Sequence, residues 1–516
     1  MKLNFSKRRN SIAFFTTVKF NSFAFDLAKN FKDCDIHYFF NGPNTFYRWF
    51  TCNAPNNTKS ILNVTAEVNS LLHSYQIRNE KYRKDRISQF EEKYGIDFFG
   101  KLIASDRRLG KGFVRGAITR PDHFADKFTK NDSFFLVDFI LNLESLFEKY
   151  LIDNQPKFVL FHAIAGAPAL LISKICTNLK IPFFHFVHTR VSNRYCLDND
   201  AQARLIYLER LFFQKKTSIS KKSLNWAKNF IQNSQNAKYR PDYVLPDKSL
   251  LLLSHLKNLF LSFLGFIYYI FMFENVSYKF EQIKRQVYKI STSIKAFYLI
   301  LFRTYDHVNN NQKYIYFPLH VDPESSTMIL TPYLTDQLWL IETLSKSMSA
   351  DYILVVKEHK PMLGRRPLEY YRKLCALPRV ILVDPLTDSH ALIKKSSLVC
   401  SISGSVILES ILAKKAWLLL GDAPFKVIAM PHVWDGNISN LSSYINKAIS
   451  DSSYPFKKIL RYLSLIHQNS FEMPSYLLWG NYTKISQNEK SLALRNIIKR
   501  IRFTISNNLF KSSSII

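Results

Sequence analysis

Between residues 314 and 420 short apolar runs alternate with helix-like stretches, at the spacing of strand, helix and strand. The runs fall at 314–319, 352–357, 380–383, 398–402 and 416–420, and the stretches between them include 330–347, 367–374, 388–394 and 405–413. Strands joined by helices of this length pair in parallel, and their two faces are covered by those helices. The pattern therefore predicts a doubly wound α/β domain. Such sheets bind ligands outside the carboxyl ends of their strands.

The first half repeats the theme less regularly. Runs at 11–18 and 35–40 flank a helical stretch near 25–31, and residues 60–94 read as polar helix. KFVLFH (157–162), a small-residue helix over 165–179 and the run 181–187 form a second strand, helix and strand unit, followed by the polar loop 188–194. At 516 residues the chain is too long for one ordinary core. The expected fold class is α/β with two Rossmann-like lobes, a helical hydrophobic linker and a helical C-terminal tail. Expected boundaries are 1–235, 236–305, 306–440 and 441–516.

Composition narrows the function classes. Hydrophobic residues make up 47% of the chain, with 43 Phe and 27 Tyr, which supplies two cores and argues against disorder. The formal charge is +31, which favours anionic partners such as membrane surfaces or phosphorylated small molecules. Abundant Lys, Asn, Ile, Phe and Tyr also follow from an AT-rich coding sequence, and no nucleic-acid recognition signature is present, so nucleic acid is not an expected partner. The six cysteines include no CxxC pair and read as reduced thiols, with no metal site. The basic N-terminus has no cleavage-type signal.

The stretch 251–273, LLLSHLKNLFLSFLGFIYYIFMF, is close to bilayer-spanning length, but His255, Lys257 and Asn258 interrupt its first half. An interfacial helix, a buried inter-domain helix and a transmembrane span all remain open, with peripheral attachment to an anionic membrane surface expected first.

Three strings at predicted strand ends carry the chemistry: YFPLHVDPESST (316–327), VKEHKPMLGRRP (356–367) and SISGSVILE (401–409). Ser403, Gly404 and Ser405 precede a helix, where backbone N–H groups favour an anion, although a plain N-cap accounts for the same residues. Glu409 is a candidate acceptor for ribose hydroxyls, and His359, Lys360, Arg365 and Arg366 are candidate donors to a nucleotide phosphate. Each is also explained as an ordinary structural or solvated side chain. In the first half, Asp106 lies in the polar loop SDRRLGKG and is the first candidate for base or nucleophile, with Glu324 second. Arg190 and Asn193 are candidates for holding an acidic or phosphorylated acceptor.

Taken together, YFPLHVDPESST, VKEHKPMLGRRP and SISGSVILESILAKKAWLLLGD resemble the capsule polysaccharide biosynthesis protein family, which includes Kdo transferases. The likeness extends more weakly to residues 101–195. It implies a GT-B-like glycosyltransferase with the donor site in the second lobe and the acceptor site in the first. It also implies no metal or other cofactor, a nucleotide-sugar donor such as a CMP-sugar, and a glycolipid or polysaccharide acceptor at the inner membrane face. His359 matches the histidine of the family's His-Pro motif, although here Lys360 separates it from Pro361. A sugar-nucleotide epimerase or a polyol-phosphate transferase of the same architecture, and a non-catalytic assembly factor, are the alternatives.

Overall fold

The computed structural model describes residues 10–73, 80–113, 133–236, 248–271, 276–303, 305–309, 311–479 and 486–506. The basic N-terminus to Arg9, the stretch 114–120, residues 272–273 and the tail beyond 506 lie outside the described residues. The chain divides into two compact units. The first is built from Met1–Asp106, Lys130–Leu224 and Arg461–Ile516, and the second from Arg107–Thr129 and Asn225–Leu460.

The first unit holds β1 (Ser11–Thr17), β2 (Asp35–Asn41), β3 (Thr58–Asn63), β4 (Val159–Phe161), β5 (Phe183–His188) and β6 (Arg194–Asp198). Its parallel part runs β3-β2-β1-β4-β5, with Ser11 opposite Asp35 and Ala13 opposite Val159. Parallel strands buried on both faces need continuous apolar runs, and here phenylalanine supplies them. Phe15 lies between Phe39 and Phe161 on neighbouring strands, with ring centroids 6.5 and 5.4 Å away. On the opposite face Phe14 stacks on Tyr38 at 5.6 Å.

The second unit holds β7 (Tyr314–Pro318), β8 (Ile353–Lys357), β9 (Val380–Val383), β10 (Leu398–Ser401) and β11 (Trp417–Leu419). All are parallel, in the order β11-β10-β7-β8-β9. Both units thus have the Rossmann strand order, and the topological switch in the second unit falls between β7 and β10. The two Rossmann-like lobes expected from the sequence are present.

The boundaries differ from the expected ones. The stretch after Arg461 returns to the first unit. Its strand β12 (Phe471–Glu472) pairs antiparallel with β6, and the Met473 N–H donates to the Asn193 carbonyl at 3.0 Å. Ala493, Ile497 and Ile501 of the helix Gln487–Ser506 are buried in the first core. The hydrophobic linker belongs to the second unit, whose core takes in Leu251, Ala296 and Leu299. These placements are long-range packing events that local periodicity does not encode.

Gly364 shows how tightly that linker is held. Its φ is +75°, and a Cβ there would lie 2.0 Å from the Thr292 carbonyl oxygen and 2.9 Å from the Ala296 nitrogen. Gly364→Ala is expected to destabilise the second unit by about 3 kcal/mol, from left-handed strain and overpacking together. Gly100→Ala, in open space within the helix Phe98–Ala104, is expected to add about 0.5–1 kcal/mol. Thermal unfolding of the two variants beside the parent checks both signs.

Candidate functional site

His320, two residues beyond β7, joins three strand ends. Its N–H donates to Gln337 Oε1 at 2.7 Å, and its carbonyl accepts from Arg366 Nη2 at 2.6 Å. Its Nε2 accepts from the Ser403 N–H at 3.2 Å and lies 3.2 Å from Ser401 Oγ. A backbone N–H only donates, so Nε2 carries the lone pair and the ring proton sits on Nδ1. Gly404 permits this packing: a Cβ there would be 2.7 Å from Ser401 Oγ. The histidine therefore ties β7 to the loop after β10, across the topological switch.

A buried ion pair fixes the other side. Arg366 Nε donates to Glu358 Oε2 at 2.8 Å, and the two side chains are 0% and 1% exposed. Tyr371 Oη donates to the same carboxylate oxygen at 2.7 Å, and the His359 N–H donates to Oε1 at 2.7 Å. Arg366, expected to reach a donor phosphate, is instead fully buried on Glu358 and the His320 carbonyl. It braces the loops after β7 and β8, because a buried guanidinium must be paired where it is desolvated.

Around this frame several groups have pKa values moved towards neutrality. Burial pushes the Glu409 carboxyl up to about 7, against a hydrogen bond from Ser405 Oγ at 3.0 Å and the charge of Lys357. Burial, with Lys360, pushes Lys357 down to about 8, although Asp388 and Glu409 oppose it. Lys357 Nζ donates to the Thr387 carbonyl at 2.7 Å and to Ser389 Oγ at 2.5 Å. Asp322, 3% exposed, is pushed up to about 6 by burial against the charges of Arg366 and Arg107, and neither of its oxygens has a hydrogen-bond partner among the described residues. Burial, with Lys357 and Arg366, pushes His359 down to about 4, so its ring is neutral at pH 7. Their gathering at the strand ends, displaced by burial beside specific charge partners, makes this the candidate site.

The remaining candidates are placed as follows. Ser403 is buried, with Oγ donating to the Ser326 carbonyl at 3.2 Å, and Ser405 and Gly404 are half-buried beside it. Lys360 is half-buried in the turn Lys360–Met362, and Arg365 is exposed. Glu324 is exposed and accepts from Ser326 Oγ at 2.8 Å. In the first unit, Arg190 and Asn193 lie in the turn between antiparallel β5 and β6, Arg190 at φ +64° and Asn193 exposed. Asp106, 6% exposed, accepts from the Ala167 N–H at 3.4 Å, at the start of the helix Ala167–Asn178. A carboxylate is stabilised at such a helix end. The structure brings together His359, Lys360, Ser403, Gly404, Ser405 and Glu409 near β7, β8 and β10, leaves Glu324 and Arg365 exposed, and adds His320, Asp322, Lys357 and Glu358. These four stand in the motif strings, at or just beyond the ends of β7 and β8, and burial is what singles them out. Among the described residues no group of His, Cys, Asp and Glu has the arrangement of a metal site.

No protein-family model matches the chain, and no curated protein matches it at significance. Solved structures with likeness include the beta Kdo 2,7 transferase of Thermosulfurimonas dismutans KpsC, at 12% identity and TM-score 0.31, covering 56% of this chain and 72% of that one. The beta Kdo 2,4 transferase of the same protein has 9% identity and TM-score 0.32, covering 60% and 79%. The UDP-GlcNAc 2-epimerase of Neisseria meningitidis, bound to UDP-GlcNAc, has 13% identity and TM-score 0.27, covering 95% and 100%.

Two outcomes follow from the site. Arg366→Leu leaves Glu358 buried without its counter-ion and is expected to cost about 3–5 kcal/mol in denaturant unfolding. The pKa of Glu409 is raised from 4.5 to about 7. Its contribution to stability is therefore fully present below pH 4.5 and lost as pH rises through about 7. Glu409→Gln is expected to flatten this part of the pH dependence, seen as a difference in thermal midpoint between the two proteins that is small below pH 4.5 and opens as pH rises towards 7.

Proposed function

We propose that the chain is a glycosyltransferase of GT-B type that takes a nucleotide sugar in its second unit. The observation that carries the reading is the convergence of His320, the Ser401–Ser405 loop, Lys357 and Glu409 at the carboxyl ends of β7, β8 and β10. Open α/β sheets take nucleotides at this switch position. In this reading Lys360 and Arg365 supply charge to the donor phosphate, His359 and the loop Ser403-Gly404-Ser405 supply neutral contacts, with the Ser403 and Gly404 N–H groups already held by His320 Nε2 and Ser401 Oγ, and Glu409 receives the ribose hydroxyls. Arg366 is a positioning residue.

Asp106 is the proposed base, with Glu324 the second choice, and Arg190 and Asn193 are the proposed acceptor contacts. The base takes the proton of an acceptor hydroxyl while its oxygen bonds to the anomeric carbon. The bond from that carbon to the donor phosphate breaks, and the leaving nucleotide keeps the electron pair. The acceptor is a glycolipid or polysaccharide, with the protein peripheral on the inner membrane face, and the donor sugar and base are open, CMP- and UDP-linked sugars being the first to test. A second reading, a sugar-nucleotide epimerase, is favoured by one observation: Asp322, Lys357 and Glu409, all moved towards neutrality, lie in the second unit alone. An epimerase converts the donor with no acceptor present, so product analysis separates the two.

Calorimetric titration of the full chain with CMP, UDP, GDP, CDP and their sugar conjugates is expected to find one preferred nucleotide. Glu409→Ala is expected to weaken it by about 1–3 kcal/mol, the cost of a lost charge-assisted hydrogen bond. Asp106→Asn is expected to bind donor as before and to lose transfer by about 100-fold or more. Wild-type turnover in that variant removes Asp106 from the chemistry, and loss of donor binding in it points to a structural role.

A further inference from the structure

The helix Lys248–Phe271 leaves most of its apolar residues exposed, beside the exposed polar Ser254, Lys257 and Asn258, and buries Leu251 and Ser262. Its inner side, packed against the helix Val276–Phe297, carries Ser262 and Gly265, and the facing helix buries Gln282 and Gln286. A Cβ at Gly265 would lie 3.1 Å from Gln286 Cδ, so the two backbones approach closely there. The outer side carries Leu253, Leu256, Phe260, Phe263, Ile267 and Phe271 at steps of three and four, one unbroken strip along the helix. Phe260 is 62% exposed and Phe271 78%, and only 11% of the most apolar window of Leu251–Phe271 is buried. Small and polar residues inside with apolar residues outside is the arrangement of helices packed in lipid.

The second helix decides how deep the pair can go. It carries Lys279, Lys284, Arg285, Lys289 and Lys295 against the single acid Glu281, and the first helix carries no acid. A helix so charged does not cross hydrocarbon, and it is packed against the apolar one. We propose that this helical hairpin lies in the interface of an anionic lipid bilayer, with the outer strip among the acyl chains and the lysines at the headgroups. A second copy of the chain is a poor occupant of the strip, because it brings the same net charge of +31. Anionic lipid supplies the opposite one. The inference deepens the membrane placement proposed above, and because it uses no residue of the nucleotide site its test fails or succeeds independently of the transferase chemistry.

Co-sedimentation of the full chain with phosphatidylcholine vesicles, with and without phosphatidylglycerol, tests it. Binding is expected to require phosphatidylglycerol and to weaken with salt. Phe260→Asp with Phe263→Asp is expected to lower vesicle affinity about tenfold or more at an unchanged thermal midpoint, since both side chains are exposed. Lys284→Glu with Lys289→Glu is expected to lower it by roughly 25-fold or more, about fivefold for each lysine removed. A wild-type chain that stays in the supernatant with phosphatidylglycerol vesicles overturns the proposal, as does undiminished binding by the double aspartate variant. A dimer abolished by the aspartates, without vesicle binding, assigns the strip to a second copy and also overturns it.

Discussion

The second unit depends on one buried arginine. Arg366 pairs with Glu358 and donates to the carbonyl of His320, so a single guanidinium ties the loop after β8 to the loop after β7. His320 then passes the constraint to the loop after β10 through its Nε2. An ion pair this deep adds little net stability against a well-packed apolar pair, because both charges lose their hydration. What it supplies is geometry. Tyr371 and the His359 N–H complete the bonding of Glu358, leaving the carboxylate only one arrangement that satisfies it.

That frame also explains the electrostatics beside it. Lys357 and Asp322 are buried at the ends of strands that end in polar sequence, and Glu409 sits one turn inside the helix Val406–Leu412. Each is desolvated more than its neighbours compensate, so each is displaced towards neutrality. A carboxyl near 7 and an amine near 8 exchange protons at little cost near physiological pH, while the His359 ring stays neutral. The hairpin Lys248–Phe271 and Val276–Phe297, proposed above for a lipid interface, buries Ser262, Gln282 and Gln286 and exposes a strip of apolar side chains along its first helix.

Much of the fold was legible in the sequence. Every strand of the second unit was expected within about two residues of its observed ends, because parallel strands buried on both faces write themselves as continuous apolar runs. The return of the chain to the first unit after Arg461 was not legible: β12 has only two residues and gains its meaning from the edge of β6. The three motif strings located the candidate site, but spacing alone did not distinguish Arg365, which is exposed, from Arg366, which is fully buried. Adjacent residues of one type read alike until the fold decides which of them faces inward. Asp322 and His320 were visible as letters in the first string, and only their burial sets them apart. Asp106 was read from its polar loop, and the helix end that it meets, more than sixty residues later in the chain, is a tertiary fact.

The central claim is that a nucleotide sugar occupies the carboxyl ends of β7 and β10. Hydrogen–deuterium exchange of the full chain, with and without the nucleotide sugar that binds it best, tests this most directly. The account predicts slowed exchange in peptides covering residues 319–327 and 401–410. Protection confined to the first unit, with these two segments unchanged, would contradict it.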